Sequence, residues 1–163
     1  MKKSIAILAL AVLSFAVAQN AMAQASANQS LSLTVNAVYK IATSGNPGAL
    51  TINNGTAGTD VLSSVSDATT TYSMTQNSST PAKITAGLNS ALTAGYSLTI
   101  QLASVKGTSA GAVNISDGTA KDVVTAMAKG ADAAQGITYV FGANASAGIL
   151  TTTAKTVTLT LTN

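Results

Sequence analysis

From Thr156 to Thr162 the chain alternates without a break: Val157, Leu159 and Leu161 stand between Thr156, Thr158, Thr160 and Thr162. Successive side chains of a strand point to opposite faces, so such a run buries one row and solvates the other. A helix would scatter the same residues around its circumference. The same period of two recurs elsewhere. Leu31, Leu33, Val35 and Ala37 alternate with Ser30, Ser32, Thr34 and Asn36; Leu98, Ile100 and Leu102 alternate with Ser97, Thr99 and Gln101; and Ile137, Tyr139 and Phe141 alternate with Thr138 and Val140. The chain is therefore expected to be all-β, with Leu159 facing the core and Thr158 facing solvent.

Further strands are expected where β-branched residues lie between turn residues: Ala49–Asn53, Thr69–Gln76, Ala82–Leu88 and Ala112–Ser116. Ala120–Lys129 is mixed, since its Ala, Lys and Met favour helix while Val123-Val124-Thr125 favours strand; strand is the reading adopted. Turns are expected at Ser44-Gly45-Asn46-Pro47-Gly48, Asn53-Asn54-Gly55, Lys106-Gly107-Thr108-Ser109, Asp117-Gly118 and Gly142-Ala143-Asn144, and Pro81 marks the entry to a strand. About eight or nine short strands at this spacing describe an antiparallel sandwich or a small barrel.

Two divisions of the 163 residues are expected. Residues 1–23 read as a cleaved export leader: Lys2 and Lys3 form a basic start, Ile5 to Val17 is an apolar stretch, and Ala21-Met22-Ala23 precedes a cut before Gln24. The apolar stretch is shorter than the roughly 20 residues a membrane span needs, so no transmembrane segment is expected after cleavage. Residues 24–163 then form one domain, exported to the periplasm, the cell surface or the medium. A transmembrane barrel is disfavoured, because that fold needs aromatic girdles and this region carries only Tyr39, Tyr72, Tyr96, Tyr139 and Phe141.

Composition narrows the chemistry. The chain has no Cys, no His, no Arg and no Glu. Zinc fingers, thiolate nucleophiles, disulfides and the usual haem or iron–sulfur ligation are therefore excluded. After the leader, Lys40, Lys83, Lys106, Lys121, Lys129 and Lys155 stand against Asp60, Asp67, Asp117, Asp122 and Asp132, scattered and nearly balanced. Nucleic-acid affinity is built from clustered phosphate contacts, so no nucleic-acid partner is expected. No Gly-Lys-Ser/Thr loop occurs, and Gly55-Thr56-Ala57-Gly58 reads as turn glycine. No Lys has a Ser three residues before it; Thr80 and Thr152 hold that place before Lys83 and Lys155, and a strand would put such a pair on opposite faces. Asp117 and Asp122, with Asn114, could offer oxygen ligands to Ca²⁺, but without EF-hand spacing they read as a turn residue and a solvated one. No enzyme activity and no cofactor are expected.

The exported leader, the Thr-alternating first segment, the Pro81-Ala82-Lys83-Ile84 strand entry and the closing Thr-Val-Thr-Leu-Thr-Leu strand together resemble small exported bacterial β-sandwich proteins of the fimbrial-subunit-like and spore-coat-protein-U-like groups. The resemblance spans the chain after the leader. It implies an immunoglobulin-like antiparallel sandwich and assembly into surface fibres by strand donation. Two features depart from chaperone–usher pilins: no cysteine pair is present, and Thr162 stands next to last, where those proteins carry an aromatic residue.

These features lead to the expectation of a secreted structural or adhesive protein, self-assembling or joined to other surface proteins. Leu31, Leu33 and Val35 would be the contacts to a partner's sheet, within a pairing segment Gln24–Val35. The plainer reading makes that segment the first strand of its own sandwich. The alternative function is a monomeric ligand-binding module, for glycan or another ligand, with Tyr72 and Tyr96 as stacking rings. The Thr156/Thr158/Thr160/Thr162 row resembles an ice-binding array, but a single strand of solvent-facing Thr is explained by β-propensity.

Overall fold

The computed structural model describes residues 25–163. The leader expected over residues 1–23, and Gln24, lie outside the described residues. The strands are β1 (Tyr39–Thr43), β2 (Val65–Gln76), β3 (Ala82–Leu88), β4 (Tyr96–Leu102), β5 (Thr108–Ser109), β6 (Val113–Asn114), β7 (Lys121–Met127), β8 (Gly130–Ala143) and β9 (Val157–Thr162), with one 3-10 turn at Ala145–Ala147. They form two antiparallel sheets, ordered β1-β2-β8-β4-β6 and β5-β7-β3-β9. The all-β sandwich expected from the alternation is the fold observed. A compact unit runs from Asn36 to Asn163.

The inward rows of both sheets supply one core. Ile84 and Ala86 on β3 and Val123, Val124 and Met127 on β7 meet Tyr72 and Met74 on β2, Ile100 and Leu102 on β4 and Ile137 on β8. β7 settles the mixed segment as strand. A register shift against β3 between Ile84↔Val124 and Thr85↔Asp122 leaves one extra residue on β7, and the bulge turns both Val123 and Val124 inward. Gln76, buried at the end of β2, ties the sheets together: its Nε2 donates to Met127 O at 3.1 Å and its Oε1 accepts from Ser78 N–H at 2.8 Å.

Several boundaries differ from expectation. β8 is longer than Ile137–Phe141, since cross-strand pairing with β2 and β4 carries it through turn-like residues at both ends. Only Val113–Asn114 of Ala112–Ser116 is strand, and Thr108–Ser109, expected as a turn, pairs with β7. Ala49–Asn53 forms no strand. Its apolar residues Leu50 and Ile52 are half-buried without ladder partners, and pairing in the chain between β1 and β2 consists of two isolated bridges farther on, Gly55↔Leu62 and Val61↔Asn144. Leu31–Ala37 forms no strand either; the first strand begins at Tyr39.

One core group is unsatisfied. Thr70 Oγ1, on β2 beside a bulge between Asp67 and Thr70, is buried with no hydrogen-bond partner among the described residues. A buried hydroxyl without a partner retains its desolvation penalty, which a methyl of the same size does not. Thr70→Val is expected to raise stability by about 1 kcal/mol. Chemical denaturation checks this, and an unchanged or lowered midpoint would refute it.

Candidate functional site: the open edge between β1 and β9

Each sheet has two edges, and the four edges are not alike. β5 and β6 are two residues long, a length that offers little template for another strand. β1 and β9 have five and six residues. They lie at neighbouring edges of the two sheets, and no pairing joins them.

The backbone of β9 is presented outward in a defined pattern. Asn89 N–H donates to Thr156 O at 2.9 Å, and Thr156 N–H donates to Asn89 Oδ1 at 3.2 Å. In an antiparallel ladder the direction of the backbone groups alternates by residue. Thr156, Thr158, Thr160 and Thr162 therefore face β3 with their backbone groups, and Val157, Leu159 and Leu161 face away from it. The β3–β9 ladder runs from Lys83↔Thr162 to Leu88↔Val157 without a register shift. β9 contains no charge, Pro or Gly. None of the devices that usually blunt an edge is present on it.

β1 mirrors this arrangement. Asn77 N–H donates to Val38 O at 3.3 Å and Ser44 N–H to Thr71 O at 2.9 Å. These bonds place Val38, Lys40, Ala42 and Ser44 toward β2, and turn the backbone groups of Tyr39, Ile41 and Thr43 outward. Among the described residues, the outward groups on β1 and β9 have no hydrogen-bond partner.

The side chains carry the same incompleteness. Thr158 and Thr160 are exposed, as the alternation requires, while Val157, Leu159 and Leu161 are half-buried where a core row would be closed over. Tyr39 and Ile41 are half-buried too. Between the two edges lies a groove of about 1130 Å³, lined among others by Ile41, Leu50, Tyr139, Phe141, Val157 and Leu159. Its rims are the segments around residues 45–52 and 148–156. Asp67 holds the first rim: its Oδ2 accepts from Gly48 N–H at 3.2 Å, and hydrogen bonds from Thr69 and then from Gly48 keep its carboxyl below the usual range. Lys155 holds the second, donating to Ser90 Oγ at 2.7 Å and Ala91 O at 3.2 Å. At the second rim Ile149 is 94 % exposed.

The residues expected to contact a partner are open to one. Residues 25–35 carry no secondary structure, and Leu31, Leu33 and Val35 are 79 %, 83 % and 85 % exposed.

The two tyrosines expected to contact a ligand part company. Tyr72 is fully buried, its hydroxyl donates to Ala103 O at 2.7 Å, and burial raises its pKa, so it presents no ring to a ligand. Tyr96 is half-buried at the groove, stacked on Phe141 with ring centroids 6.4 Å apart, and its hydroxyl donates to Ala147 O at 3.1 Å. Tyr139, on the same groove floor, is also a core residue.

The aspartates considered for Ca²⁺ do not converge. Asp117 pairs with Lys121 at 2.9 Å and Asp122 with Lys83 at 3.0 Å. The Lys121 ammonium, with the Thr119 hydroxyl and N–H, brings Asp117 down to about 2. Asn114 Oδ1 is taken by Ser116 N–H at 2.9 Å. Among the described residues, no group of three acidic, His or Cys side chains could hold a metal ion, and no helix is long and apolar enough to cross a membrane.

Sequence reasoning missed the open edge formed by β1 and β9. Tyr39–Thr43 has only the weak alternation of Tyr39 and Ile41 against Lys40 and Ala42. That β1 and β9 end up as adjacent free edges is a property of strand order, which alternation does not encode. Compared with family models, curated proteins and solved structures, the chain matches none.

Proposed function

We propose that this chain is an exported, non-enzymatic structural or adhesive surface protein that assembles by strand pairing through Gln24–Val35. One observation carries the reading: an uncharged, unbulged edge, β9, borders a groove that mixes apolar and polar side chains, in a protein that also exposes an unpaired alternating segment. An added strand brings main-chain hydrogen bonds for affinity and alternate side chains for specificity. Leu31, Leu33 and Val35 are the side chains that such a strand would bury. A monomeric ligand-binding module is the weaker reading, because Tyr72 is spent in the core and Tyr96 already has Phe141 and Ala147 as partners.

Size-exclusion chromatography with light scattering tests this on the chain beginning at Gln24, which retains every core residue. The unsubstituted chain is expected to form polymers. Leu33→Asp places a carboxylate where an apolar contact is needed, and the expected product is a folded monomer. Polymerisation that is the same with and without Asp at position 33 would sink the proposal.

A further inference from the structure

We infer that Asn54 is a site of spontaneous covalent modification: its side-chain amide is lost as ammonia after attack by the Gly55 nitrogen, and the aspartate or isoaspartate that results alters one wall of the groove. Asn54-Gly55 is the one Asn-Gly step in the chain. Both residues are exposed, in the stretch between β1 and β2, so water reaches them. The inference stands apart from the strand-pairing reading, since it needs no occupant in the groove.

The reacting groups are already in contact. Gly55 N–H donates to Asn54 Oδ1 at 2.8 Å, which closes a ring through N, C, Cα, Cβ, Cγ and Oδ1. Bonding that nitrogen to Cγ leaves out the oxygen and gives the five-membered succinimide. Among the described residues Gly55 N–H has no backbone acceptor, so no ladder bond has to break. Ser63 N–H donates to Asn54 O at 2.9 Å, and its neighbour Leu62 is fixed against β8 by donating to Ala143 O at 3.0 Å. When Gly55 N gives up its proton, the negative charge is shared with Asn54 O, and a donor already aimed at that oxygen favours the charged form. A Cβ at position 55 would lie 2.9 Å from Leu62 Cδ2, so packing keeps the attacking nitrogen that of an unhindered glycine. Asp117-Gly118 is the contrast. Gly118 N–H is tied to Ile115 O at 3.2 Å, and the Asp117 carboxylate, paired with Lys121 at 2.9 Å, is a poor electrophile. Asn77, Asn89 and Asn114 have Oδ1 committed to the N–H groups of Val38, Thr156 and Ser116.

The chemistry needs only water and hydroxide. Hydroxide takes the Gly55 amide proton, the nitrogen forms a bond to Asn54 Cγ, and the Cγ–Nδ2 bond breaks as Nδ2 takes a proton and leaves as ammonia. Water then opens the succinimide. Attack at Cγ breaks its bond to Gly55 N and leaves aspartate. Attack at the main-chain carbonyl carbon breaks that bond to Gly55 N instead, and the chain now runs through Cβ and Cγ. Nothing is oxidised or reduced. Either product adds one negative charge. The isoaspartate also adds one atom to the backbone just before Gly55, whose bridge to Leu62 cannot then keep its register. Leu62 lines the groove, so the change at Asn54 is passed to the groove wall.

Incubating the purified protein at mildly alkaline pH, with peptide mapping over time, tests this. The expected result is conversion of amide to acid at Asn54 ahead of every other Asn, a mixture of aspartate and isoaspartate, and a shift of one negative charge in isoelectric focusing. Asn54→Gln, whose longer side chain cannot close the five-membered ring, is expected to lose the shift. The same incubation in urea measures what the dipeptide does without the fold. A native rate at or above the urea rate is expected, because Ser63 N–H is in place only in the folded chain. A slower native rate, or another Asn converting first, overturns the proposal. The link to the groove is read from the Leu62 methyl resonances. They are expected to move in the isoaspartate product and to stay in Asn54→Asp, which has the charge without the extra atom. Leu62 methyls that do not move in the isoaspartate product would mean that the modification does not reach the groove wall.

Discussion

Ile100→Ala is expected to destabilise the fold by about 2–5 kcal/mol, the range for removing a large aliphatic side chain from a core that relaxes only partly. Ile100 is fully buried in the middle of β4, with Tyr139 of β8 opposite it on one side and Val113 of β6 on the other. Both flanking strands are hydrogen-bonded in place, so the backbone has little freedom to collapse into the space left behind. A domain of this size loses roughly 4 °C in melting temperature per kcal/mol, so the shift is on the order of 8–20 °C. Gln101→Ala, one residue along on the exposed face, is expected to move stability by no more than about 0.5 kcal/mol. Thermal and urea melts of the two variants decide the matter, and similar losses in both would mean that β4 is not seated as described. Ile100 is not a groove residue, so at temperatures where the variant remains folded its assembly should match that of the unsubstituted chain. Stability and strand pairing are in this way separable by experiment.

The strands were legible wherever one face is buried and the other wet. Ala82–Leu88 was found to the residue, with Pro81 before it, and Tyr96–Leu102 and Val157–Thr162 within one, because there the period of two coincides with the core. The signal misled where a segment alternates with no partner strand in its own fold. Leu31–Ala37 has as clean a pattern as β9, yet its apolar residues are exposed; alternation reports what a segment could bury, and says nothing about whether a sheet is there to receive it. The reverse occurs at Tyr39–Thr43, a real strand with little pattern, held by its ladder to β2 and by Asn77. Of the candidate site, the exposed alternating residues Leu31, Leu33 and Val35, proposed as partner contacts, could be picked out from the chain. The groove could not, since it depends on β1 and β9 lying side by side at the ends of different sheets. Tyr72 and Tyr96 look alike in sequence, and only packing separates a buried ring from one at the groove.

Asp132 shows a kind of stabilisation that neither alternation nor composition reveals, and the prediction it supports is the second large one. The residue lies on β8 at 2 % exposure, although a buried carboxylate normally requires compensation. The compensation is local. A single oxygen, Oδ2, accepts from Ser104 Oγ at 3.1 Å, Val105 N–H at 3.1 Å and Lys106 N–H at 3.3 Å. Ser104 Oγ in turn accepts from Gly107 N–H at 3.0 Å. The loop from β4 to β5 is therefore wound around one carboxylate oxygen, and Gly107 packs so closely on Thr125 O and Val124 that a Cβ there would fall within 2.8 Å of neighbouring atoms. Asp132→Ala strips the acceptor from two backbone N–H groups that the loop cannot easily turn to water, and the expected loss is about 3 kcal/mol. Asp132→Asn can place its amide oxygen where Oδ2 stands and keep all three bonds, so its loss should be smaller, about 1 kcal/mol, reflecting the weaker neutral acceptor. Denaturant melts of the two variants, with hydrogen exchange at Val105 and Lys106, distinguish a geometric anchor from a requirement for charge. Equal losses would mean that the negative charge, and not the position of one oxygen, holds the loop. Asp132 does not line the β1–β9 groove, although its ladder partner Met74 pairs in turn with the groove residue Ile41; the Asn variant should polymerise like the unsubstituted chain, and a defect there would show that the sandwich transmits the state of this loop to the edge where assembly is proposed.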